Sequence, residues 1–299
     1  MSASSDRVAS RAPIAFGATR REAMGALRHT LEQAGIESAA LDARLLLCAA
    51  AGLRPTDLIL APDAALDPAS LKTLAALAQR RAAREPISRI LGKREFWSLE
   101  LALTPDALDP RADTETLVEA AVKRFATRRG EPLRVLDLGT GSGALLCALL
   151  SEFPLARGLG LDVSPAAAAT ARANLARCGL GARGQIRIAD WNRDFAGSFD
   201  LIVANPPYVA SAQIALLAPE VARYDPRLAL DGGADGLKAY RALAPRLAAW
   251  MADGASFFLE IGQGQEGAVA ALLDQAGLAL VARHYDLAGI CRALEGARR

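Results

Sequence analysis

The chain lacks several features that would narrow its class at once. Its 299 residues contain no apolar run close to the roughly 18 to 20 residues that a membrane-spanning helix needs. The four cysteines are far apart and form no CxxC pair, and the two histidines, His29 and His284, are distant from each other. We therefore expect no membrane association, no disulfide framework and no metal site.

An excess of charge of one sign is also missing. The formal net charge is +2, which is too small for a protein whose affinity comes from neutralising many phosphates, so we expect no stable nucleic-acid binding. The first segment is small and polar and has no apolar core typical of a signal peptide. We interpret residues 1–18 as a flexible leader on a cytoplasmic protein.

Residues 19–94 have helical periodicity and are predicted to form a small helical-bundle domain. Thr19 and Glu22 have capping-box spacing, and the segment that they open closes on Gly35. Ser38 and Asp67 stand as N-caps before two further helical segments, so three or four short helices are expected. The period then changes in "EFWSLELALTP", which indicates a strand or hairpin, and we predict a linker hairpin over residues 95–112.

Residues 113–299 are predicted to form an α/β domain. A helix is expected from Asp113, and apolar strands then alternate with helical segments to about residue 275. This alternation indicates a mostly parallel sheet that is covered on both faces. The last two strands have no helix between them, so we expect an antiparallel pair at one edge.

A glycine-rich loop follows the first strand of this domain. In "VLDLGTGSGA", Gly139, Gly141 and Gly143, interleaved with Thr140 and Ser142, stand where a helix begins. Such a loop lets the backbone approach a ligand, and the helix start offers unpaired N–H groups. A dinucleotide site would favour GxGxxG, whereas the GxGxG spacing here is typical of S-adenosylmethionine methyltransferases.

Acidic and aromatic residues follow the next two strands. Asp162 ends the second strand, where a carboxylate can accept both hydroxyls of a ribose. Asp190 and Trp191 close the third strand and are predicted to flank the adenine, although Trp191 alone would fit a core position equally well. The predicted cofactor is S-adenosyl-L-methionine, and the product would be S-adenosyl-L-homocysteine.

The fourth strand, "FDLIVA", runs into Asn205, Pro206, Pro207 and Tyr208. The prolines stiffen this loop, so the Asn205 side-chain oxygen and the Pro206 carbonyl can each accept one hydrogen of a planar NH2 group. Both acceptors would bind the nitrogen more strongly as it becomes positive, and Tyr208 offers a flat surface for stacking. The substrate class is then a glutamine amide, an adenine or a cytosine.

The chain resembles the release-factor glutamine methyltransferases, the HemK/PrmC family, from about residue 20 onward. The resemblance is carried by "REPISRILGKREFWSLEL", "PRADTETLVE", "VLDLGTGSGA", "FDLIVANPPY", "YDPRLALDGGADGLKAYR" and "LEIGQGQ". It implies a Rossmann-like class I methyltransferase domain with a seven-stranded, mostly parallel sheet. It also implies a helical N-terminal domain that binds the substrate protein. It also implies methylation of the side-chain amide nitrogen (N5) of glutamine in the Gly-Gly-Gln loop of class I peptide chain release factors.

The resemblance also assigns residues. It implies that the cofactor is bound by Gly139–Gly143, Asp162, Trp191 and Asn205. It also implies that the glutamine is held by Asn205–Tyr208. Three positions depart from the usual family pattern: Ala112 replaces a proline, Asp109 an apolar residue and Asp225 a glutamate. These departures touch the expected substrate-entry wall and put only the fine substrate specificity in doubt.

Three alternatives remain open at the level of sequence. A related enzyme that methylates a glutamine of a ribosomal protein would have the same cofactor site and the same "NPPY". An N6-adenine nucleic-acid methyltransferase would require a basic groove or a target-recognition domain, and neither is evident. A module that binds without turnover would be expected to have lost part of "GTGSG" or "NPPY". We expect an enzyme that works as a monomer, with Glu260 supporting the sheet edge rather than acting as a base.

Overall fold

The computed structural model describes residues 19–193 and 195–299. The predicted leader, residues 1–18, lies outside the described residues. The chain divides into two compact units, of which one ends at Leu91 and the other begins at Gly92. Within the described ranges, none of the helices has the length and apolar content required to cross a membrane, and no group of three or more His, Cys, Asp or Glu side chains is placed to hold a metal ion.

The first unit is helical throughout. Its helices are α1 (Arg20–Gln33), α2 (Ala39–Ala51), α3 (Pro55–Leu60), α4 (Pro68–Ala82) and α5 (Ile87–Leu91). The capping box predicted for Thr19 and Glu22 is present at the start of α1. Ser38 precedes α2 but makes no side-chain capping bond, contrary to the prediction. The described part of this unit therefore has five helices, whereas three or four were expected. The short helices α3 and α5 were hard to predict because segments of five or six residues give too little periodicity to be recognised.

The second unit contains the remaining elements in the predicted alternation. They are β1 (Lys93–Phe96), β2 (Leu99–Ala102), α6 (Glu115–Arg124), β3 (Arg134–Leu138), α7 (Ala144–Glu152), β4 (Arg157–Asp162), α8 (Pro165–Arg177), β5 (Gly184–Ile188), β6 (Phe199–Ala204), α9 (Pro219–Ala222), α10 (Arg227–Leu230), α11 (Lys238–Trp250), β7 (Met251–Glu260), α12 (Glu266–Gln275), β8 (Leu278–Tyr285) and β9 (Cys291–Arg298). The helix expected from Asp113 starts two residues later, because Ala112–Thr114 form a separate 3-10 turn.

Seven of these strands form one sheet in the order β5-β4-β3-β6-β7-β9-β8. The five strands from β5 to β7 are parallel, and β9 runs antiparallel to both of its neighbours. The prediction of a seven-stranded, mostly parallel sheet with an antiparallel edge pair is therefore confirmed. The strand order reverses between β4 and β6, on the two sides of β3, which is where open α/β sheets bind their ligands.

Two apolar layers cover the sheet and explain why its strands are apolar on both faces. One layer packs α6, α7 and α8 against the sheet, and the other packs α11 and α12 against the opposite face. The β1–β2 hairpin belongs to this second unit and is attached to α8 through Asn174. The Asn174 side chain accepts from the Ala102 N–H at 2.7 Å and donates to the Ala102 carbonyl at 3.0 Å.

A buried ion pair in the helical unit gives a test of its stability. Arg81 Nε lies 2.6 Å from Asp42 Oδ2, and the two side chains are 7% and 3% exposed. Asp42→Ala leaves the arginine charge buried without its carboxylate, so we expect a loss of about 3–5 kcal/mol in the free energy of unfolding. Denaturant unfolding followed by far-UV circular dichroism measures the loss.

The matched control is Asp63→Ala, which removes the partner of the exposed Arg21 and should leave the midpoint nearly unchanged. All three tryptophans lie beyond residue 91, so their fluorescence follows the second unit separately. Equal midpoints for the two variants would contradict the stabilising role given to the buried pair.

Candidate active site

A cavity of about 460 Å³ opens at the carboxyl ends of β3, β4 and β6, a volume within the range of roughly 300–1,000 Å³ usual for small-molecule sites. Most of the predicted site residues line it, namely Gly139, Thr140, Gly141, Ser142, Asp162, Asp190, Trp191, Asn205 and Pro207. Residues separated by more than sixty positions in sequence therefore share one cavity, because parallel strands end at the same edge of the sheet.

Three predicted site residues are not among the lining residues: Gly143, Pro206 and Tyr208. Gly143 precedes α7, and a Cβ there would lie 3.1 Å from the Cβ of Ala171 in α8, so its small size serves helix packing. Pro206 is buried, and the role predicted for it uses only its carbonyl oxygen. Tyr208 is directed to a carboxylate behind the loop, as described below.

Asp162 fixes the shape of the glycine loop. One carboxylate oxygen accepts from the Gly141 N–H at 2.8 Å, and the other accepts from the Ser164 N–H at 2.8 Å. Each oxygen retains a further lone pair that can accept from a ligand hydroxyl. Asp162 therefore both shapes the loop and offers acceptors to the cavity.

Trp191 fills the space beside the same loop. A Cβ on Gly139, whose φ is +72°, would lie 2.9 Å from Cζ3 of the indole, so any larger residue at this position would displace the ring. Trp191 is half-buried, packs against the apolar core and also lines the cavity. The two interpretations of Trp191 from sequence, core residue and cavity wall, are thus compatible.

Asp137 lies beneath the loop and was not predicted from sequence. It is buried at the end of β3, and Thr140 Oγ1 donates to its Oδ2 at 2.6 Å. Burial raises the pKa of the Asp137 carboxyl to about 7, and the nearby Asp162 charge raises it further against the Thr140 hydrogen bond. An acidic residue two positions before a glycine loop, within a buried strand, is the sequence signal that identifies it.

The segment from Asn205 to Tyr208 stands beside the glycine loop. Strands β3 and β6 pair in parallel with Leu138 opposite Ala204, so Gly139 and Asn205 leave the sheet side by side. The Asn205 side chain donates from Nδ2 to Thr114 Oγ1 at 3.2 Å. Its amide nitrogen is therefore engaged on the side of Thr114, at the start of α6.

Tyr208 is held at both its hydroxyl and its carbonyl. The hydroxyl donates to Glu260 Oε1 at 3.2 Å, and the carbonyl accepts from Gln265 Nε2 at 3.0 Å. Burial raises the pKa of the Tyr208 hydroxyl well above its usual value, and the Glu260 charge raises it further. The hydroxyl consequently remains a neutral donor at physiological pH.

The stretch "LDGGADG" packs directly against the back of this segment. Gly232 N–H donates to the Val209 carbonyl at 2.8 Å, and Val209 N–H donates to the Leu230 carbonyl at 3.0 Å. A Cβ on Gly236, whose φ is +76°, would lie 2.4 Å from the Tyr208 carbonyl oxygen. The glycines of this stretch are therefore needed for close backbone approach.

Sequence reasoning missed Thr114 and Gln265 and predicted Glu260 only as a support of the sheet edge, although all three lie in the stretches that carry the family resemblance. Thr114 lies in "PRADTETLVE", and Glu260 and Gln265 lie in "LEIGQGQ". Glu260 ends β7 at the carboxyl edge of the sheet, where it was expected to give support. Their role could not be derived from spacing alone, because it depends on three separate elements meeting behind one loop.

The positions that depart from the family pattern lie near arginines. Asp109 lies 3.6 Å from Arg94, and the buried Asp225 carboxylate lies 3.6 Å from Arg111. Ala112 begins the 3-10 turn that leads to Thr114. Each of the two acidic departures is therefore accompanied by a cation.

Comparisons with known proteins place the chain among methyltransferases. Residues 22–92 match the PrmC N-terminal domain family, and residues 109–223 match the methyltransferase small domain family. The chain is 49% identical over 269 residues to a release factor glutamine methyltransferase of Rhodospirillum rubrum. The aligned region covers 90% of this chain and 82% of that protein. It is 46% identical over 281 residues to one of Bradyrhizobium diazoefficiens, with 93% and 94% covered.

A solved structure of a release factor-specific protein-(glutamine-N5) methyltransferase from Alicyclobacillus acidocaldarius is 30% identical. The match covers 67% of this chain and 99% of that chain, with a TM-score of 0.39.

A pair of glycine substitutions tests whether Gly236 supports the loop. Gly236→Ala combines a strained positive φ with a clash at the Tyr208 carbonyl, so we expect a loss of about 2–5 kcal/mol in the free energy of unfolding. Gly264→Ala is the matched control, since Gly264 has a φ of +80° with nothing within 4 Å. It should lose only about 1–2 kcal/mol. Urea denaturation followed by tryptophan fluorescence compares them, and equal losses would show that the close approach is unimportant.

Proposed function

The chain belongs to the release factor glutamine methyltransferase family, and on that premise we propose that it methylates the side-chain amide nitrogen (N5) of the glutamine in the Gly-Gly-Gln loop of class I peptide chain release factors, with S-adenosyl-L-methionine as the donor. One observation carries the proposal. A cavity formed by a glycine loop and acidic residues adjoins an asparagine whose own amide nitrogen is already engaged by Thr114. This pairing suits the methylation of a planar NH2 group.

The cavity has the chemistry that S-adenosylmethionine requires. Gly139–Gly143 would approach the amino-acid part of the donor, Asp162 would accept from its ribose, and Asp190 and Trp191 would flank its adenine. When bound, the donor supplies an electrophilic methyl group and leaves as S-adenosyl-L-homocysteine. The cavity volume and the remaining lone pairs on Asp162 fit such a ligand.

Asn205 and Pro206 would orient the substrate amide. A primary amide nitrogen carries two hydrogens, and Asn205 Oδ1 and the Pro206 carbonyl can accept one each. The nitrogen gains positive charge as it is alkylated, so both acceptors bind the transition state more strongly than the ground state. Pro206 and Pro207 have no N–H, so no backbone donor of theirs competes for these acceptors.

No general base is needed at the site. The alkylated amide nitrogen is acidic enough to lose its extra proton to water, and the raised pKa of Tyr208 keeps its hydroxyl protonated. Tyr208 therefore serves to fix the loop and takes no part in proton transfer. The helical unit would bind the release factor away from the reacting glutamine. A substrate that acts in translation fits a cytoplasmic enzyme, and we expect the enzyme to work as a monomer.

A substrate assay tests the proposal directly. Labelled S-adenosylmethionine would be incubated with the protein and, in separate reactions, with a class I release factor, a ribosomal protein fraction and DNA. We expect label in the release factor, mapped by peptide mass spectrometry to the glutamine of its Gly-Gly-Gln loop. Label in the ribosomal fraction alone would favour the related ribosomal-protein enzyme, and label in DNA alone would exclude glutamine as the substrate.

Replacement of Asn205 tests the orienting role. Asn205→Ala removes an acceptor that acts most strongly in the transition state, so turnover should fall by about 100-fold or more. Steady-state kinetics with the release factor measures the loss, and an unchanged thermal midpoint would show that the variant folds. A variant with normal turnover would contradict the mechanism.

A further inference from the structure

Glu260 is a buried carboxylate behind the loop, and the proposed mechanism gives it no role. Its side chain is buried at the end of β7, and its Oε1 accepts from the Tyr208 hydroxyl at 3.2 Å. Its backbone carbonyl accepts from the Tyr240 hydroxyl at 2.7 Å, which fixes the main chain at this point. Oε2 is buried, and no hydrogen bond of normal geometry joins it to any of the described residues. A buried carboxylate oxygen of this kind requires an explanation.

Thr114 is a neighbour of both Asn205 and Glu260. Its side chain is buried, its oxygen accepts from Asn205 Nδ2 at 3.2 Å, and hydrogen bonding by its side chain lowers the pKa of the Glu260 carboxyl. A hydroxyl has a single proton to donate. If that proton is directed to the carboxylate, the Thr114 oxygen can only accept from Asn205.

We propose that ionised Glu260 is a positioning residue that, through Thr114, sets which end of the Asn205 amide faces the substrate. A carboxylate can only accept, so the hydrogen bonds run in one direction, from Asn205 to Thr114 to Glu260. The Asn205 nitrogen is then committed to Thr114, and Oδ1 is left for the substrate nitrogen. The opposite orientation would present an N–H to the substrate amide and repel it. This inference rests on the proposed function and adds the group that makes Asn205 an acceptor.

The ionisation of Glu260 depends on the groups that face it. Burial raises the pKa of its carboxyl to about 7, while the Thr114 and Tyr208 hydrogen bonds and the Arg111 charge lower it and Asp113 raises it. The phenol of Tyr240, from α11, also faces Glu260, and its pKa is raised well above the usual value, so it stays neutral. Below about pH 7 the protonated Glu260 can donate to Thr114, and the fixed direction is lost.

Glu260→Gln tests the inference, because the amide keeps the shape of the side chain but can donate as well as accept. We expect the turnover number to fall by between about tenfold and 100-fold, the usual effect of removing a group that orients a binding residue. The Michaelis constant for S-adenosylmethionine should stay within about twofold. The wild-type turnover number should rise with pH through about 7, and the variant should lack this rise.

Two substitutions at Thr114 form a matched pair. Thr114→Ser retains the hydroxyl and should keep turnover within about threefold, whereas Thr114→Val removes it at nearly constant volume and should match the loss of the Glu260 variant. Because both groups act through one hydrogen-bond chain, the double variant Thr114→Val, Glu260→Gln should be no slower than either single variant. Additive losses would overturn the connection.

A stability measurement separates failure of this inference from failure of the proposed function. The folded-state pKa of Glu260 is raised above its ordinary value, so wild type should lose stability relative to Glu260→Gln as pH rises from about 4.5 to about 7. The difference in thermal midpoint, variant minus wild type, should therefore increase between pH 5 and pH 8. Asp137, whose pKa is also about 7, is common to both proteins and cancels.

The outcomes are then distinct. If wild type methylates no glutamine, the proposed function fails, whatever the stability curves show. If wild type is active but Glu260→Gln has the same turnover number and the same pH profile, the positioning role of Glu260 is wrong. Normal turnover in Thr114→Val would have the same meaning.

Discussion

The parallel pairing of β3 with β6 is the constraint on which the site depends. It sets Leu138 opposite Ala204, so the glycine loop and the Asn205 segment leave the sheet next to each other. The two segments to which we assign donor binding and orientation of the acceptor nitrogen lie far apart in sequence, and this pairing brings them together. The strand order reverses around β3, and this is the place where open α/β sheets form ligand crevices.

The geometry of the loop after β6 is maintained by elements on three sides. Thr114 contacts Asn205 from the start of α6, Glu260 and Gln265 contact Tyr208 from the region between β7 and α12, and Gly236 lies against the Tyr208 carbonyl. Burying Glu260 is costly, which is visible in its raised pKa. Because a carboxylate only accepts hydrogen bonds, Glu260 fixes the direction of the proposed hydrogen bonds from Asn205 through Thr114. An apolar residue could not do this.

Much of the fold followed from the sequence because it depends on local patterns. Alternating strands and helices predicted the parallel sheet, and the absence of a helix before the last strand predicted the antiparallel edge. The glycine loop, Asp162 and Asn205 could be predicted as site candidates because each stands at the end of a strand or directly after it. Thr114 and Glu260 were not assigned to the site, since they contact Asn205 and Tyr208 from segments 91 and 52 residues away. No local pattern relates such distant segments. The short helix α3 and the late start of α6 were missed because turns of three to six residues carry little periodicity.

The central claim is that Asn205 Oδ1 and the Pro206 carbonyl accept the two hydrogens of a glutamine amide while Thr114 engages the Asn205 nitrogen. A crystal structure of the protein with S-adenosylhomocysteine and a release factor domain that contains the Gly-Gly-Gln loop tests it most directly. The account predicts that the glutamine side-chain nitrogen lies about 2.7–3.2 Å from both oxygens. A glutamine nitrogen bound to Thr114 or Glu260, or directed away from Asn205, would contradict it.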